Sequence, residues 1–179
     1  MKRTSIVLIL IALVSFTSSA QVKVSPNNPS AQFNPDRGFI TINELTAGVG
    51  LGVTNVPYSK SYFGFTTING YQINKSFVAA AGTGVLAYNG GVLIPLFLDF
   101  RYRFNTEPFT PFLWADGGFL LNFKDVVNET KQFINPGVGI KYTFSRNFAA
   151  NLGAGFLLQS GAGARDSFIN FKGGVTYKF

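Results

Sequence analysis

From Gly38 to Phe179 the chain alternates large apolar residues with small or polar ones at a period of two. That period belongs to extended strands whose two faces meet different surroundings. It predicts eight strands, at about 38–52, 62–73, 77–88, 92–104, 109–122, 132–144, 148–159 and 167–179. Most run 10 to 14 residues, whereas soluble strands are commonest at about five or six. A tilted strand crossing a bilayer needs about 9–11. The last segment is the clearest: Ile169, Phe171, Gly173, Val175, Tyr177 and Phe179 share one face, and Phe168, Asn170, Lys172, Gly174, Thr176 and Lys178 share the other. In the fourth, Ile94, Leu96, Leu98, Phe100, Tyr102 and Phe104 oppose Pro95, Phe97, Asp99, Arg101 and Arg103. Segments two and three are weaker, and Asn69 falls on the apolar side of segment two.

Composition decides which face points outward. Only 13% of residues are charged, against roughly 25% in an average soluble domain. The polar faces are mostly glycine with a few charges, which makes a poor water-facing surface but fits a narrow lumen. The large apolar face then meets lipid, the inverted arrangement of transmembrane barrels. Closing the sheet pairs every backbone group, as a bilayer demands. The predicted fold is therefore all-β: an eight-stranded antiparallel up-and-down transmembrane β-barrel.

The turns check this reading. Asn74-Lys75-Ser76 and Ser145-Arg146-Asn147 are three-residue links, so outward parity must persist across them. It does, with Ile73 and Phe77 on one side, as are Phe144 and Phe148. Asn105-Thr106-Glu107-Pro108 has four residues and parity switches, Phe104 now matching Phe109. Such short turns are the periplasmic kind. The connections 53–61, 89–91, 123–131 and 160–166 are then extracellular, and Lys124, Asp125, Glu129, Lys131, Arg165 and Asp166 are expected there as solvated charges. Aromatic residues gather at the short-turn ends, as an interfacial girdle would. Pro95 and Pro136 each remove a ladder donor, and both fall toward the extracellular ends of their strands.

The N-terminus is a separate segment. Lys2 and Arg3 precede an apolar stretch from Ile6 to Phe16, and Thr17-Ser18-Ser19-Ala20 supplies small residues before Gln21. This reads as a signal peptide over residues 1–20, cleaved between Ala20 and Gln21; the stretch is too short for a membrane helix. Residues 21–37 hold three prolines and read as a periplasmic leader, with the barrel over 38–179. Cleavage removes Lys2 and Arg3 and lowers the net charge from +7 to +5, too mild to call for nucleic acid, and none is expected.

The chemistry-bearing residues lie inside. Glu44, Asp99, Arg101, Arg103, Asp116, Lys141, Lys172 and Lys178 all fall on inward positions. Buried charges must pair, so they are expected to form a charge network filling the lumen. Trp114 on the same face is expected to pack there. Catalysis has little to work with, since the chain has no histidine and no cysteine. Ser160 and Ser167 stand near the outer rim without a base, and Asp125 and Glu129 share only a loop. The Gly-Ala-Gly runs at 153–155 and 161–163 precede no helix, so they are not phosphate loops. No cofactor, metal site or enzymatic activity is expected.

Eight strands, a signal segment and the ending Val175-Thr176-Tyr177-Lys178-Phe179 resemble small outer-membrane barrels of the OmpA/OmpX type. The stretches Gly38 to Leu45 and Pro95 to Phe104, with Gln21 after the cleavage site, are similar to outer-membrane β-barrel domain proteins of Bacteroidota. The resemblance covers about 38–179 and implies a bacterial outer-membrane location. It also implies that Val175, Tyr177 and Phe179 form the signal read by the barrel-assembly machinery, with periplasmic chaperones as transient partners. Outer-membrane lipid is the lasting one. The leading functional expectation is a structural or interaction role without catalysis. The alternatives are a narrow low-conductance channel for small solutes and an accessory subunit of a larger outer-membrane transport complex.

Overall fold

The computed structural model describes residues 37–52, 58–106, 108–122, 130–161 and 164–179. Eight strands follow one another: β1 (Gly38–Gly50), β2 (Ser61–Gln72), β3 (Phe77–Tyr88), β4 (Gly91–Arg103), β5 (Phe109–Leu121), β6 (Lys131–Thr143), β7 (Phe148–Gly161) and β8 (Ala164–Lys178). Each pairs antiparallel with its neighbours in sequence, and β1 closes on β8 from Ile40↔Lys178 to Gly50↔Phe168. The result is a closed up-and-down barrel with no sheet edge. The large apolar residues of the alternating pattern stand exposed on the outside, among them Leu98, Phe100, Val138, Ile140, Leu152 and Phe171. An exterior of this kind is stable against lipid and unstable against water.

The short turns are built as their sequences imply. Asn74 Oδ1 accepts the backbone N–H groups of Ser76 and Phe77, both at 2.8 Å, which fixes the β2–β3 turn through an Asx arrangement. At the same end the outward aromatics touch in pairs: Phe39 on Tyr71, Phe109 on Tyr142, and Phe148 on Tyr177, which in turn meets Phe179.

The outer end departs from expectation. Strands β7 and β8 keep pairing up to Gly161↔Ala164, so the expected 160–166 loop shrinks to residues 162–163. Asp166 thereby becomes an inward strand residue rather than a solvated loop charge, and Lys131 becomes the first residue of β6. Their ion pair at 2.8 Å replaces the lost hydration. Arg165 remains exposed, and Lys124, Asp125 and Glu129 lie outside the described residues.

The two prolines interrupt pairing without shifting it. The β3–β4 register skips from Thr83↔Leu96 to Leu86↔Leu93 around Pro95, and β6–β7 skips from Ile134↔Leu158 to Gly137↔Gly155 around Pro136. On their other sides both residues stay paired, with Leu120 and Ala115 respectively. Each proline therefore turns its missing donor toward one neighbour only.

The glycines of the inner wall have a steric purpose. A Cβ at Gly137 or Gly153 would run into the Trp114 indole, one at Gly82 into the Phe97 ring, and one at Gly48 into Tyr62. An eight-stranded barrel leaves just enough interior for side chains. Rings fit across it only where the facing wall has none.

Candidate functional site: a charged layer across the lumen

The lumen is filled in layers. Its outer half holds an apolar and aromatic cluster that includes Tyr62, Leu86, Tyr88, Leu93, Phe97, Leu120, Phe133, Leu157 and Phe168. Tyr62 and Tyr88 both pack on Phe168, and Phe97 meets Phe133 edge-on. At the outer end of this cluster Tyr58 packs against Tyr88. Its hydroxyl accepts from Asn122 Nδ2 at 2.9 Å, its carbonyl accepts from Gln159 Nε2 at 3.1 Å, and the Lys131 ammonium lies 5.5 Å from its ring centre. These contacts hold Tyr58 at φ 67°, a left-handed conformation that costs a non-glycine residue energy.

The charged layer lies at mid-height. Alternation on β1, β4, β5 and β8 turns Glu44, Asp99, Arg101, Asp116 and Lys172 inward at neighbouring levels, and all five are buried. Arg101 grips Asp99 through Nε at 2.9 and 3.1 Å and through Nη2 at 2.9 Å, while its Nη1 reaches Glu44 Oε1 at 2.9 Å. Lys172 Nζ pairs with Asp116 Oδ2 and stands 3.7 Å from Glu44 Oε2. Glu44 thus bridges the two cations. Trp114 packs beside them, its ring centre 5.4 Å from the Lys172 ammonium.

Neutral amides extend this layer, and charge counting along the sequence does not single them out. Asn151 Nδ2 donates to Glu44 Oε1 at 2.6 Å and Asn135 Nδ2 to Asp116 Oδ2 at 3.0 Å. Asn170 Nδ2 donates to both Asn135 Oδ1 and the Tyr62 hydroxyl at 3.1 Å, tying the charged layer to the aromatic one. The only signal for these residues is an amide at an inward position.

Three of the eight expected lumen charges stand apart. Arg103, Lys141 and Lys178 line a half-open cavity of about 200 Å³ at the periplasmic mouth, together with Lys75 and Arg146 from the turns. Among the described residues no carboxylate lines this basic vestibule, and Arg101 forms part of its floor. The lumen therefore divides into a paired inner layer and a basic entrance. The described residues contain no group of three or more side chains able to hold a metal ion.

The terminal residues are outward. Val175 and Phe179 are exposed, Tyr177 is half-buried between Phe148 and Phe179, and the Phe179 N–H donates to the Phe39 carbonyl at 3.0 Å. Lys178 points into the vestibule. Ala20 and Gln21, and with them the signal segment and residues 21–36 of the leader, lie outside the described residues.

Among solved structures, the fold is similar to Neisserial surface protein A, with a TM-score of 0.54 and 18% identity over 79% of this chain and 96% of that one. It is similar to the same degree to the outer membrane protein OprG from Pseudomonas aeruginosa, with a TM-score of 0.54 and 11% identity over 80% of this chain and 97% of that one. No protein-family model and no curated protein sequence matches the chain. The fold is that of the small eight-stranded outer-membrane β-barrels.

Proposed function

We propose that this protein is an integral barrel of the bacterial outer membrane that works through its surfaces, as a structural or interaction protein, rather than as a pore or an enzyme. The observation that carries this reading is the buried layer of Glu44, Asp99, Arg101, Asp116 and Lys172, paired across the lumen beneath a second, aromatic layer. A permeant ion would have to displace an arginine held by two carboxylates, and then pass rings packed edge to face. Removing one partner of such a buried group costs about 3–5 kcal/mol. Arg101 is among the residues lining the basic vestibule, so the charged layer begins where that cavity ends.

The test is conductance. Purified protein inserted into planar bilayers should show no discrete steps in symmetric salt. A porin of known conductance, inserted into the same bilayers, serves as the positive comparison. Steady steps from the unaltered protein would replace this reading with the channel.

A further inference from the structure

One stretch of the outer wall has its polarity reversed. In the inner half of β1, β2 and β3 nearest the periplasmic turns, Ile40, Ile42, Ile68 and Val78 point into the lumen and are buried. Their outward neighbours are Thr41 and Asn43 on β1 and Thr67 and Asn69 on β2, with Ala79, Ala81 and Thr83 beside them on β3. These sit in direct register: Thr41↔Asn69↔Ala81 and Asn43↔Thr67↔Thr83. The flanking strands resume the lipid pattern, with Val175 on β8 and Leu96, Leu98 and Phe100 on β4 exposed. An uncharged patch of amides, hydroxyls and methyl groups thus runs from just inside the Phe39–Tyr71 pair to the middle of the strands, where hydrocarbon is expected.

The patch is only half satisfied. The Thr41 hydroxyl donates to Asn69 Oδ1 at 2.7 Å, and the Thr67 hydroxyl donates to Asn43 Oδ1 at 2.9 Å. Both bonds use the carboxamide oxygens, so the NH2 groups keep their donors. A polar group facing hydrocarbon without a partner is costly. In a membrane, small residues allow close approach and Asn and Thr side chains bond across the contact.

We propose that this β1–β3 wall is the contact through which a second copy of the chain docks in the plane of the membrane. The inference rests on the reading that the outer wall faces lipid. Three features favour a second copy over another occupant. The patch carries donors and acceptors of the same types, so it is self-complementary, as a two-fold contact requires. It holds no charge, so like-charge repulsion does not arise. Copies inserted in the same direction hold the patch at the same depth. A two-fold axis along the membrane normal beside β2 sets Asn69 against Asn69, each NH2 facing the other's carboxamide oxygen. The small residues of β3 then meet Thr41 and Asn43.

The experiment uses the full chain folded into phosphatidylcholine vesicles. The chain has no cysteine, so Phe65→Cys, exposed on β2 beside the patch, and Val138→Cys, on β6 across the barrel, each supply one thiol. Oxidation should link the Phe65→Cys variant into dimers at least tenfold more efficiently than the Val138→Cys variant. By energy transfer between labels at Val138→Cys, Asn43→Leu/Asn69→Leu should raise the dimer dissociation constant about tenfold or more. The same double variant should unfold in urea no more easily than its parent, because leucine suits lipid better than asparagine. A monomeric parent protein overturns the proposal and leaves the wall to a different protein. A dimer that survives the double variant, or a double variant that is less stable yet equally dimeric, overturns it too, the latter reducing the Thr–Asn pairs to a clasp within the sheet. If the parent protein never becomes protease-resistant and heat-modifiable in the vesicles, the membrane reading itself fails.

Discussion

Arg101→Ala removes the cation that organises the charged layer. The guanidinium makes three contacts with Asp99 between 2.9 and 3.1 Å and one with Glu44 at 2.9 Å. Asp99 is fully buried and Glu44 is nearly so. Without Arg101, three carboxylates face the single ammonium of Lys172, which is already engaged with Asp116. Breaking one side of a buried ion pair costs about 3–5 kcal/mol. Here one residue serves two carboxylates, so the upper part of that range, about 4–5 kcal/mol, is expected. Folded protein in detergent micelles or short-chain lipid vesicles should be titrated with urea, and the free energy taken by linear extrapolation. The variant Arg101→Ala/Glu44→Gln/Asp99→Asn isolates the cause, because it removes the stranded charges while keeping side-chain volume close to that of the single variant. It should recover the part of the loss that comes from stranded charge, leaving the cost of the cavity where the arginine stood. A loss below about 1 kcal/mol for Arg101→Ala would mean that water reaches the layer and solvates the carboxylates. Failure of the neutralised variant to recover would mean that Arg101 acts by packing on Phe112, 5.6 Å from its guanidinium carbon, and not by charge.

Other consequences follow from the same geometry. Gly153→Val places methyl groups where the Trp114 indole lies and should cost about 1–3 kcal/mol in the same urea assay, with Trp114→Phe restoring part of it. The protein should fractionate with outer membranes, lack residues 1–20 by mass spectrometry, and migrate differently on gels before and after heating. Recovery from the soluble periplasmic fraction would sink the membrane reading. Deleting Phe179 should sharply reduce inserted protein in a pulse-labelled heat-modifiability assay, while Lys178→Ala, which points into the vestibule, should matter much less. Equal effects from the two changes would refute recognition of the terminal aromatic.

The strands and their inward faces were legible because a transmembrane barrel repeats one simple rule. Each residue meets lipid or lumen, and the pattern alternates with the pleat. A misjudged register would flip every side chain, and the three short turns ruled that out by parity. The division of the lumen charges was less legible. Arg101 and Arg103 look equivalent, two apart on one strand, yet one joins Glu44 and Asp99 and the other reaches the Asn74 carbonyl at 3.4 Å at the mouth. Depth along the barrel separates them, and depth depends on how eight strands are staggered, which no single segment specifies. Asp166 differs from expectation for a related reason. Its segment looks like a loop because Gly161, Ala162 and Gly163 break the apolar alternation, but backbone pairing on β7–β8 continues past the point where side chains advertise it. Lys131 differs by one residue, because β5–β6 pairing extends to Leu120↔Lys131.

The glycine content carries the final step of the argument. Glycine inside a strand is normally a weakness, because it loses more conformational freedom on folding and packs nothing. In this barrel the inner glycines are the complement of the large inner residues. Trp114 on β5 extends over Gly137 on β6 and Gly153 on β7, and Phe97 on β4 over Gly82 on β3. The ring and its vacant wall positions lie on neighbouring strands, so the fit exists only when those strands pair in the correct register. A one-residue slip would bring the outward residues of the neighbouring strand, such as Val138 or Leu152, against the same ring. The charged layer adds the condition of closure, since the Arg101–Glu44 pair joins β4 to β1 and the Lys172–Asp116 pair joins β8 to β5 across the lumen. Register and closure are thus specified from within the lumen, by shape and by charge. The outer wall answers instead to what surrounds it, and lipid calls for apolar residues there. The reversed patch on β1–β3 departs from that demand. It is the part of the molecule where a requirement imposed from outside the barrel can be written.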